Sequence, residues 1–281
     1  MALFVNRLTH LDVSIWCPER GLVGCSWQVD VVLDGTLGSD GMLFDFGEVK
    51  PWIKRQLDGG VDHTLLVPID APGVRVETQG DTLSVSFETP YPLRVSGPRQ
   101  AFSLLPWARI DAEALSRHLS DELHTQRPVN VEGIRLALHA ERTDAAYGYS
   151  HGLKFHAGNC QRIAHGHRSR LEIWQENRRQ PGLESEWISW LDNRYFIDAS
   201  DIVADESDTT PSSELTCRYT SSQGEFSLTL PKERCVIMPW PTTVENIARH
   251  LAKRIAEKSA KPTHVVAFEG IDKGATARAL P

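Results

Sequence analysis

Residues 238–257 read MPWPTTVENIARHLAKRIAE, and residues 105–123 read LPWARIDAEALSRHLSDEL. Both stretches begin with a Pro-Trp turn and continue with apolar residues at helical spacing, so each predicts an amphipathic helix of about four turns. A break that contains Pro128 or Pro262 follows each helix, and an alternating apolar run typical of a β-strand comes next. Because this order occurs twice, we predict an internal duplication.

A strand-rich segment precedes each of these helices. Residues 26–35 and 167–176 both alternate apolar and polar side chains, which is typical of β-strands. A helix-like segment follows the first, and the stretch that begins at Arg194 looks like its shortened counterpart after the second. We therefore predict an α+β fold of two tandem domains, each an antiparallel β-sheet with two helices on one face. They are residues 1–145, called here the first half, and residues 146–281, the second half.

Composition restricts the class of protein. The 281 residues are 41% hydrophobic and contain no apolar run near the ~20 residues that cross a bilayer, which argues against a membrane protein. The N-terminal segment lacks the pattern of a secretory signal, so we expect a cytoplasmic protein. Five cysteines, an odd number, indicate reduced thiols. The net charge of −7 disfavours a nucleic-acid partner.

The strongest chemical signal is YGYSHGLKFHAGNCQRIAHGHRSRLEI, residues 147–173. His165 and His167 alternate at the start of a strand, so both side chains lie on one face of the sheet. An earlier histidine, either His151 or His156, would complete the set across a hairpin. Three neutral imidazoles with an open fourth position are typical of a catalytic zinc site.

These residues resemble a known family. Tyr147 to His151, then Cys160, then His165-Gly-His167 are similar to the F-x-A-x-H, C, H-G-H signature of the 6-pyruvoyltetrahydropterin and 6-carboxytetrahydropterin synthases. The resemblance selects His151 as the third zinc ligand. It continues through residues 41–46, 61–63, 242–246 and 268–269. It implies the tunnelling fold (T-fold), whose subunits associate through their sheets into a barrel, so we expect a homo-oligomer formed through sheet edges.

The two halves differ in the residues that the family uses. Ile15 stands in place of the first histidine and Val23-Gly24-Cys25 in place of H-G-H, so the first half is expected to bind no zinc. It keeps Asp62 and His63, for which we find no Asp-His counterpart before the second Pro-Trp turn. In the family this pair reaches the zinc site of a neighbouring subunit. A complete site is therefore expected either within one chain or between chains.

The resemblance implies roles for three catalytic residues. The family's substrate is 7,8-dihydroneopterin triphosphate, and zinc would stabilise charge that develops on its side-chain oxygens. Cys160 is the candidate base, since a nearby metal lowers the pKa of a thiol. Asp62 and His63 would form the complementary proton-transfer pair.

The resemblance also implies residues that bind the pterin. Glu269 is similar to the family's ring anchor, because a carboxylate can accept two N–H bonds from the amino-pyrimidinone edge. Thr242 and Thr243 are similar to the hydroxyl residues beside that anchor. Glu141 occupies the equivalent place in the first half and is a second-choice anchor.

The function implied is a zinc-dependent carbon–oxygen lyase. It would convert 7,8-dihydroneopterin triphosphate to a 6-carboxy or 6-pyruvoyl tetrahydropterin with loss of triphosphate. Two alternatives stay open. One is a T-fold paralogue with zinc but a different pterin- or purine-like substrate, and the other is a non-catalytic pterin-binding protein.

Overall fold

The computed structural model describes residues 1–143, 145–204 and 213–281. Within this part of the chain the helices are α1 (Phe46–Gly59), α2 (Ala112–Thr125), α3 (Pro181–Leu191) and α4 (Val244–Ser259). None of these helices has the length and apolar character that a membrane-spanning helix needs.

Each half contributes a series of strands. Those of the first half are β1 (Ala2–Cys17), β2 (Gly21–Gly35), β3 (Leu65–Pro68), β4 (Val74–Gln79), β5 (Thr82–Phe87), β6 (Leu93–Pro98), β7 (Phe102–Leu105) and β8 (Val131–Ala140). Those of the second half are β9 (Ala146–His151), β10 (His165–Gln175), β11 (Arg178–Arg179), β12 (Arg194–Asp198), β13 (Glu214–Ser221), β14 (Gly224–Pro231), β15 (Cys235–Met238), β16 (Thr263–Phe268) and β17 (Gly274–Ala279).

The two halves build similar sheets. The strand order is β7-β3-β1-β2-β8 in the first and β15-β12-β9-β10-β16-β17 in the second. The central hairpins, β1–β2 and β9–β10, are antiparallel. A helix then carries the chain across each sheet, so that β3 runs parallel to β1 and β12 parallel to β9. The predicted α+β fold with two repeated domains is confirmed, and each sheet includes parallel strands as well as antiparallel ones.

The helices bury apolar stripes against these sheets. Leu115, Leu119 and Leu123 form the buried stripe of α2, and α4 has an equivalent one. Each such side chain contributes about 1.5–3 kcal/mol when it is fully buried. The Asp111 carboxylate caps α2 by accepting the Ala114 N–H at 2.8 Å.

One sequence interpretation was wrong. The stretch that begins at Arg194 forms strand β12 and is not the counterpart of α1. That counterpart is α3, which begins with Pro181 at its first position and buries Trp187, Ile188 and Leu191. The helix was missed because it is short and lacks a side-chain cap like the one that Asp45 gives α1.

A third sheet joins the halves. Its order is β13-β14-β6-β5-β4, with Leu228 of β14 opposite Val95 of β6. Side chains from both halves share the core beneath it, including Leu83, Phe226 and Tyr195. The halves are therefore fused through a common core as well as through the chain, while the division at residues 145 and 146 stays a prediction.

The halves also meet where β2 approaches β9 and β10. Ser14 and Ser150, which occupy equivalent positions in the two halves, have their Oγ atoms 2.7 Å apart. A Cβ atom added at Gly24 would lie 2.0 Å from the Tyr149 carbonyl oxygen. Only glycine permits this approach, which brings the loop after α1 to the histidine-rich strands.

The structure also identifies the second-half counterpart of Asp62–His63 as Asp192–Asn193. His63 and Asn193 both adopt a left-handed backbone, with φ of 56° and 58°. In each half the N–H of this residue donates to the first strand of its own sheet. The acceptors are the carbonyl oxygens of Asp12, at 2.8 Å, and Gly148, at 2.7 Å. The equivalent pair therefore carries asparagine in place of histidine and comes earlier in the chain than expected.

Candidate metal and proton-transfer site

Three buried histidines converge where β9 ends and β10 begins. His165 lies opposite His151 in the antiparallel register, and His167 follows two residues later on the same face. Their potential ligand atoms all lie within 4.8 Å of one another, and the side chains are almost completely buried. His156 is not part of this cluster, since its Nδ1 accepts the Gly158 N–H on an exposed loop.

The surroundings fix the orientation of each imidazole. Each Nδ1 faces an oxygen, but in the described residues only those of His151 and His165 form a hydrogen bond, and each Nε2 is buried without a partner. The facing oxygens are Thr242 O at 2.9 Å from His151, Arg162 O at 2.9 Å from His165, and Asp12 Oδ1 at 3.3 Å from His167. With the proton on Nδ1, the lone pairs of the three Nε2 atoms are available to a shared cation. Metal-binding histidines are typically held in this way.

Burial favours the neutral form of His151 and His165. Loss of hydration lowers the pKa of His151 and of His165 well below the ordinary value, and neighbouring imidazoles act in the same direction. Neutral imidazole is the form that coordinates a metal. The three unpartnered Nε2 atoms are costly by themselves, and a cation between them would remove that cost.

Asp12 is a functional candidate that sequence reasoning missed. It lies on β1 of the first half, is 3% exposed, and accepts a hydrogen bond from Ser26 Oγ. Burial acts to raise the pKa of Asp12, but His167 and Lys273 outweigh it and hold that pKa below the usual range. The available signal was a single carboxylate within the otherwise apolar run LDVSIW.

The predicted proton-transfer pair adjoins the metal cluster within one chain. His63 Nδ1 lies 2.5 Å from Asp62 Oδ2, and the His63 ring centre is 5.3 Å from that of His165. The Cys160 side chain lies near enough to His63 to affect its pKa. Burial acts to lower the pKa of His63, but its interactions with Asp62 and Cys160 outweigh burial and raise the pKa to about 10. The first half thus supplies two members of this group and the second half one.

The loop that carries Cys160 is held from two sides. Buried Arg162 donates to the Asp62 carbonyl at 3.1 Å, and Asn159 donates to the Asp58 carbonyl at 3.0 Å. On the other side, the Gln161 side chain accepts the Gln223 N–H at 2.9 Å, in the turn between β13 and β14. The shared sheet and the end of α1 therefore both position the thiol.

The predicted threonines already have contacts within the protein. Thr242 is 1% exposed, and its Oγ1 lies 3.1 Å from His151 Nδ1 and donates to the Gly152 carbonyl. Thr243 caps α4 by accepting the Asn246 N–H. Their role beside a pterin ring stays a prediction.

The two candidate anchors differ in their surroundings. Glu269 is half-buried at the end of β16, close enough to Lys273 to help raise its pKa. In the first half, Glu141 Oε1 forms an ion pair with Arg170 Nε at 2.8 Å. Glu141 is thus already engaged, which favours Glu269 as the carboxylate available to a ligand.

Fold and site together define a tandem α+β protein with a cluster of three buried histidines that residues of both halves surround. The model of the 6-pyruvoyl tetrahydropterin synthase family matches residues 14–149 and again residues 139–279. The chain therefore belongs to this family, as a tandem member, which confirms the resemblance seen in the sequence.

Solved structures of such synthases are similar to part of the chain. A catalytic-residue mutant of the Plasmodium vivax 6-pyruvoyltetrahydropterin synthase is 17% identical, with a TM-score of 0.41, and the match covers 50% of this chain and 90% of that one. For the Plasmodium falciparum enzyme the identity is 17%, the TM-score 0.40, and the coverage 49% and 90%. No curated protein matches the chain.

Proposed function

We propose that the protein is a zinc-dependent lyase that converts 7,8-dihydroneopterin triphosphate to a 6-carboxy or 6-pyruvoyl tetrahydropterin, with loss of triphosphate. The observation that carries the proposal is the meeting of His151, His165 and His167 with the Asp62–His63 pair and Cys160 in one chain. The names of the related synthases support the substrate class.

The three Nε2 atoms of the histidine cluster would hold the zinc ion. Three neutral nitrogen ligands with a fourth position open to water or substrate are the donor set of catalytic zinc. When bound, the ion supplies positive charge that stabilises negative charge on the substrate's side-chain oxygens.

In this proposal the chain's own residues move the protons. His63 Nε2 holds the proton of the Cys160 thiol in the resting pair, in keeping with the raised pKa of this imidazole, and its Nδ1 is engaged with Asp62. The resulting imidazolium is stabilised by the Asp62 carboxylate, and the thiolate accepts a proton from a side-chain carbon of the substrate. The electron pair left on that carbon expels triphosphate from the neighbouring carbon–oxygen bond.

Glu269 would orient the ring. Its carboxylate accepts the adjacent N–H groups of the amino-pyrimidinone edge in a bidentate, charge-assisted pair. Thr242 and Thr243 remain proposed as the residues beside the ring, with Thr242 also holding His151. Copies of the chain would associate through the open sheet edges that β8 and β17 provide.

The test uses the zinc-loaded protein and 7,8-dihydroneopterin triphosphate. Triphosphate release is measured together with the mass of the pterin product. A pyruvoyl group keeps all three side-chain carbons, whereas a carboxyl group keeps one, and water is taken up as the other two leave as acetaldehyde. Cys160→Ala and His63→Ala are each expected to slow release by about 10²–10⁴-fold. Cys25→Ala is the matched control, because Cys25 takes the place of a zinc ligand in the first half.

Two outcomes would contradict the proposal. Zinc-loaded protein that binds the compound but releases no triphosphate would favour a different pterin- or purine-like substrate. Full activity of Cys160→Ala would remove the thiol from the mechanism.

A further inference from the structure

The first half supplies none of the three histidines, yet it places a buried carboxylate against one of them. Asp12 Oδ1 lies 3.3 Å from His167 Nδ1 in an ion-pair contact between two buried side chains, and this Nδ1 has no hydrogen-bond partner in the described residues. The Nδ1 atoms of His151 and His165 face backbone carbonyls of their own half. Among the three ligands, His167 therefore differs in facing a charged group that comes from the other half.

Several contacts fix the Asp12 carboxylate. Ser26 Oγ donates to Oδ1, and Lys273 Nζ lies 3.3 Å from Oδ2. Gly270 passes so close that an added Cβ would lie 2.7 Å from Oδ1. This approach leaves the carboxylate little room to turn away from His167.

The backbone of Asp12 holds the proton-transfer pair as well. Its N–H donates to Asp62 Oδ1 at 3.0 Å, and its carbonyl accepts the His63 N–H at 2.8 Å. One residue of the first half thus contacts both the metal cluster and the turn that carries Asp62 and His63.

The position equivalent to Asp12 in the second half carries no carboxylate. Gly148 is the second-half residue equivalent to Asp12, as their matching contacts with Asn193 and His63 indicate. A glycine has no side chain to place against the first-half position of Cys25. The carboxylate is therefore present opposite the half that has histidines and missing opposite the half that lost them.

We propose that Asp12 of the first half is a positioning residue that fixes the tautomer and orientation of His167 in the second half. The inference rests on the metal site proposed above. Asp12 is the nearest acceptor for the Nδ1–H of His167 once a metal holds Nε2. A carboxylate in that position raises the basicity of Nε2, and removal of such a partner typically costs about 10–100-fold in metal affinity. The second half therefore depends on the first for full metal affinity.

The test compares zinc affinity in the full chain by competition with a coloured chelator. Asp12→Asn is expected to bind zinc about 10–100-fold more weakly than the parent protein. Asp30→Asn is the matched control, because Asp30 lies on the same hairpin but bonds to the Arg7 N–H and to Gln28. We expect its affinity to stay within about twofold of the parent, the change typical of a surface substitution.

Two further readouts separate positioning from a general loss of stability. The first is the rise in melting temperature when zinc saturates the protein, measured against the metal-free form of the same variant. Any change in the stability of the metal-free protein is then subtracted. The second is the visible absorption of the cobalt-substituted protein, which reports ligand geometry. Both are expected to change in Asp12→Asn and to stay constant in Asp30→Asn.

The outcomes distinguish this inference from the proposed function. Equal zinc affinity and an unchanged cobalt spectrum in Asp12→Asn would overturn the role of Asp12 and leave the lyase intact. A parent protein that binds no zinc would overturn both the metal site and the role of Asp12. Weakened zinc binding in Asp12→Asn, in a protein whose parent releases no triphosphate, would support Asp12 and reject the lyase.

Discussion

Gly24→Ala is expected to push β2 of the first half away from the histidine-rich strands of the second half. Gly24 lies on β2, and an added Cβ would fall 2.0 Å from Tyr149 O and 2.6 Å from His167 O. Real Cβ atoms essentially never approach within 3.0 Å, and backbone cannot swing aside as a flexible side chain does. Ordinary contact begins near 3.4 Å, so the strands must move apart by more than about 1 Å.

The cost follows from this displacement. Overpacking of this kind typically costs about 1–3 kcal/mol. For a chain of this size that corresponds to a fall in melting temperature of roughly 2–12 °C. The fold should survive, because the shared sheet also joins the halves. Turnover should fall further, since a shift of about 1 Å between His63 and the histidine cluster can cost about 10²-fold.

The assays are thermal unfolding and triphosphate release, with Gly59→Ala as the control. Gly59 ends α1, and an added Cβ there meets nothing within 4 Å. Alanine at that position should leave stability unchanged or raise it by up to about 1 kcal/mol. Wild-type melting temperature and turnover in Gly24→Ala would refute the close crossing and with it the view that one site spans both halves.

Three further predictions concern single residues. The purified protein should carry about one zinc per chain, lost in His165→Ala and kept in Cys25→Ala; two per chain would contradict a metal-free first half. Glu269→Gln should raise KM about 10–100-fold, because one charge-assisted anchor is worth about 1.5–3 kcal/mol. Glu141→Gln should leave KM unchanged, and equal effects of the two substitutions would reject Glu269 as the anchor. Burial, then nearby cations of α4, lower the pKa of His250 to about 4. The unfolded chain therefore takes up this proton first as the pH falls from 6.5 towards 4, so stability should drop there by on the order of 1 kcal/mol after solvent screening. Urea unfolding at pH 7 and pH 5 should show a smaller drop in His250→Gln, and an equal drop would contradict this account.

The histidine cluster could be anticipated from the sequence because its geometry is local. Alternation along β10 puts His165 and His167 on one face, and the antiparallel register of a single hairpin brings His151 opposite. The repeated Pro-Trp turns and helices similarly revealed the duplication. The choice between His151 and His156 needed the family signature, since spacing alone allowed both.

Other features depend on contacts between distant parts of the chain. The shared sheet pairs β6 with β14, more than 100 residues later. Alternation places Asp12 on the opposite face of β1 from the first-half core but does not say which sheet packs there. Asp192–Asn193 was missed because its equivalence to Asp62–His63 lies in a left-handed turn and matching backbone contacts, and only half of the residue pair is the same.

The proposed site accounts for the different residues that the two halves carry. Such a site takes its histidines from the second half and its carboxylate and proton-transfer pair from the first. Because the first half has Ile15 in place of a histidine, the second-half residues equivalent to Asp12 and His63 have no histidine cluster to serve and are freed from that role. Asn193 and Gly148 occupy those freed positions in the second half. Cys25, in the place of the last ligand, is consistent with this loss, because burial raises the pKa of its thiol to about 12 and keeps it protonated. In this proposal the first half must keep Asp12, Asp62 and His63, because all three lie beside the histidine cluster of the second half.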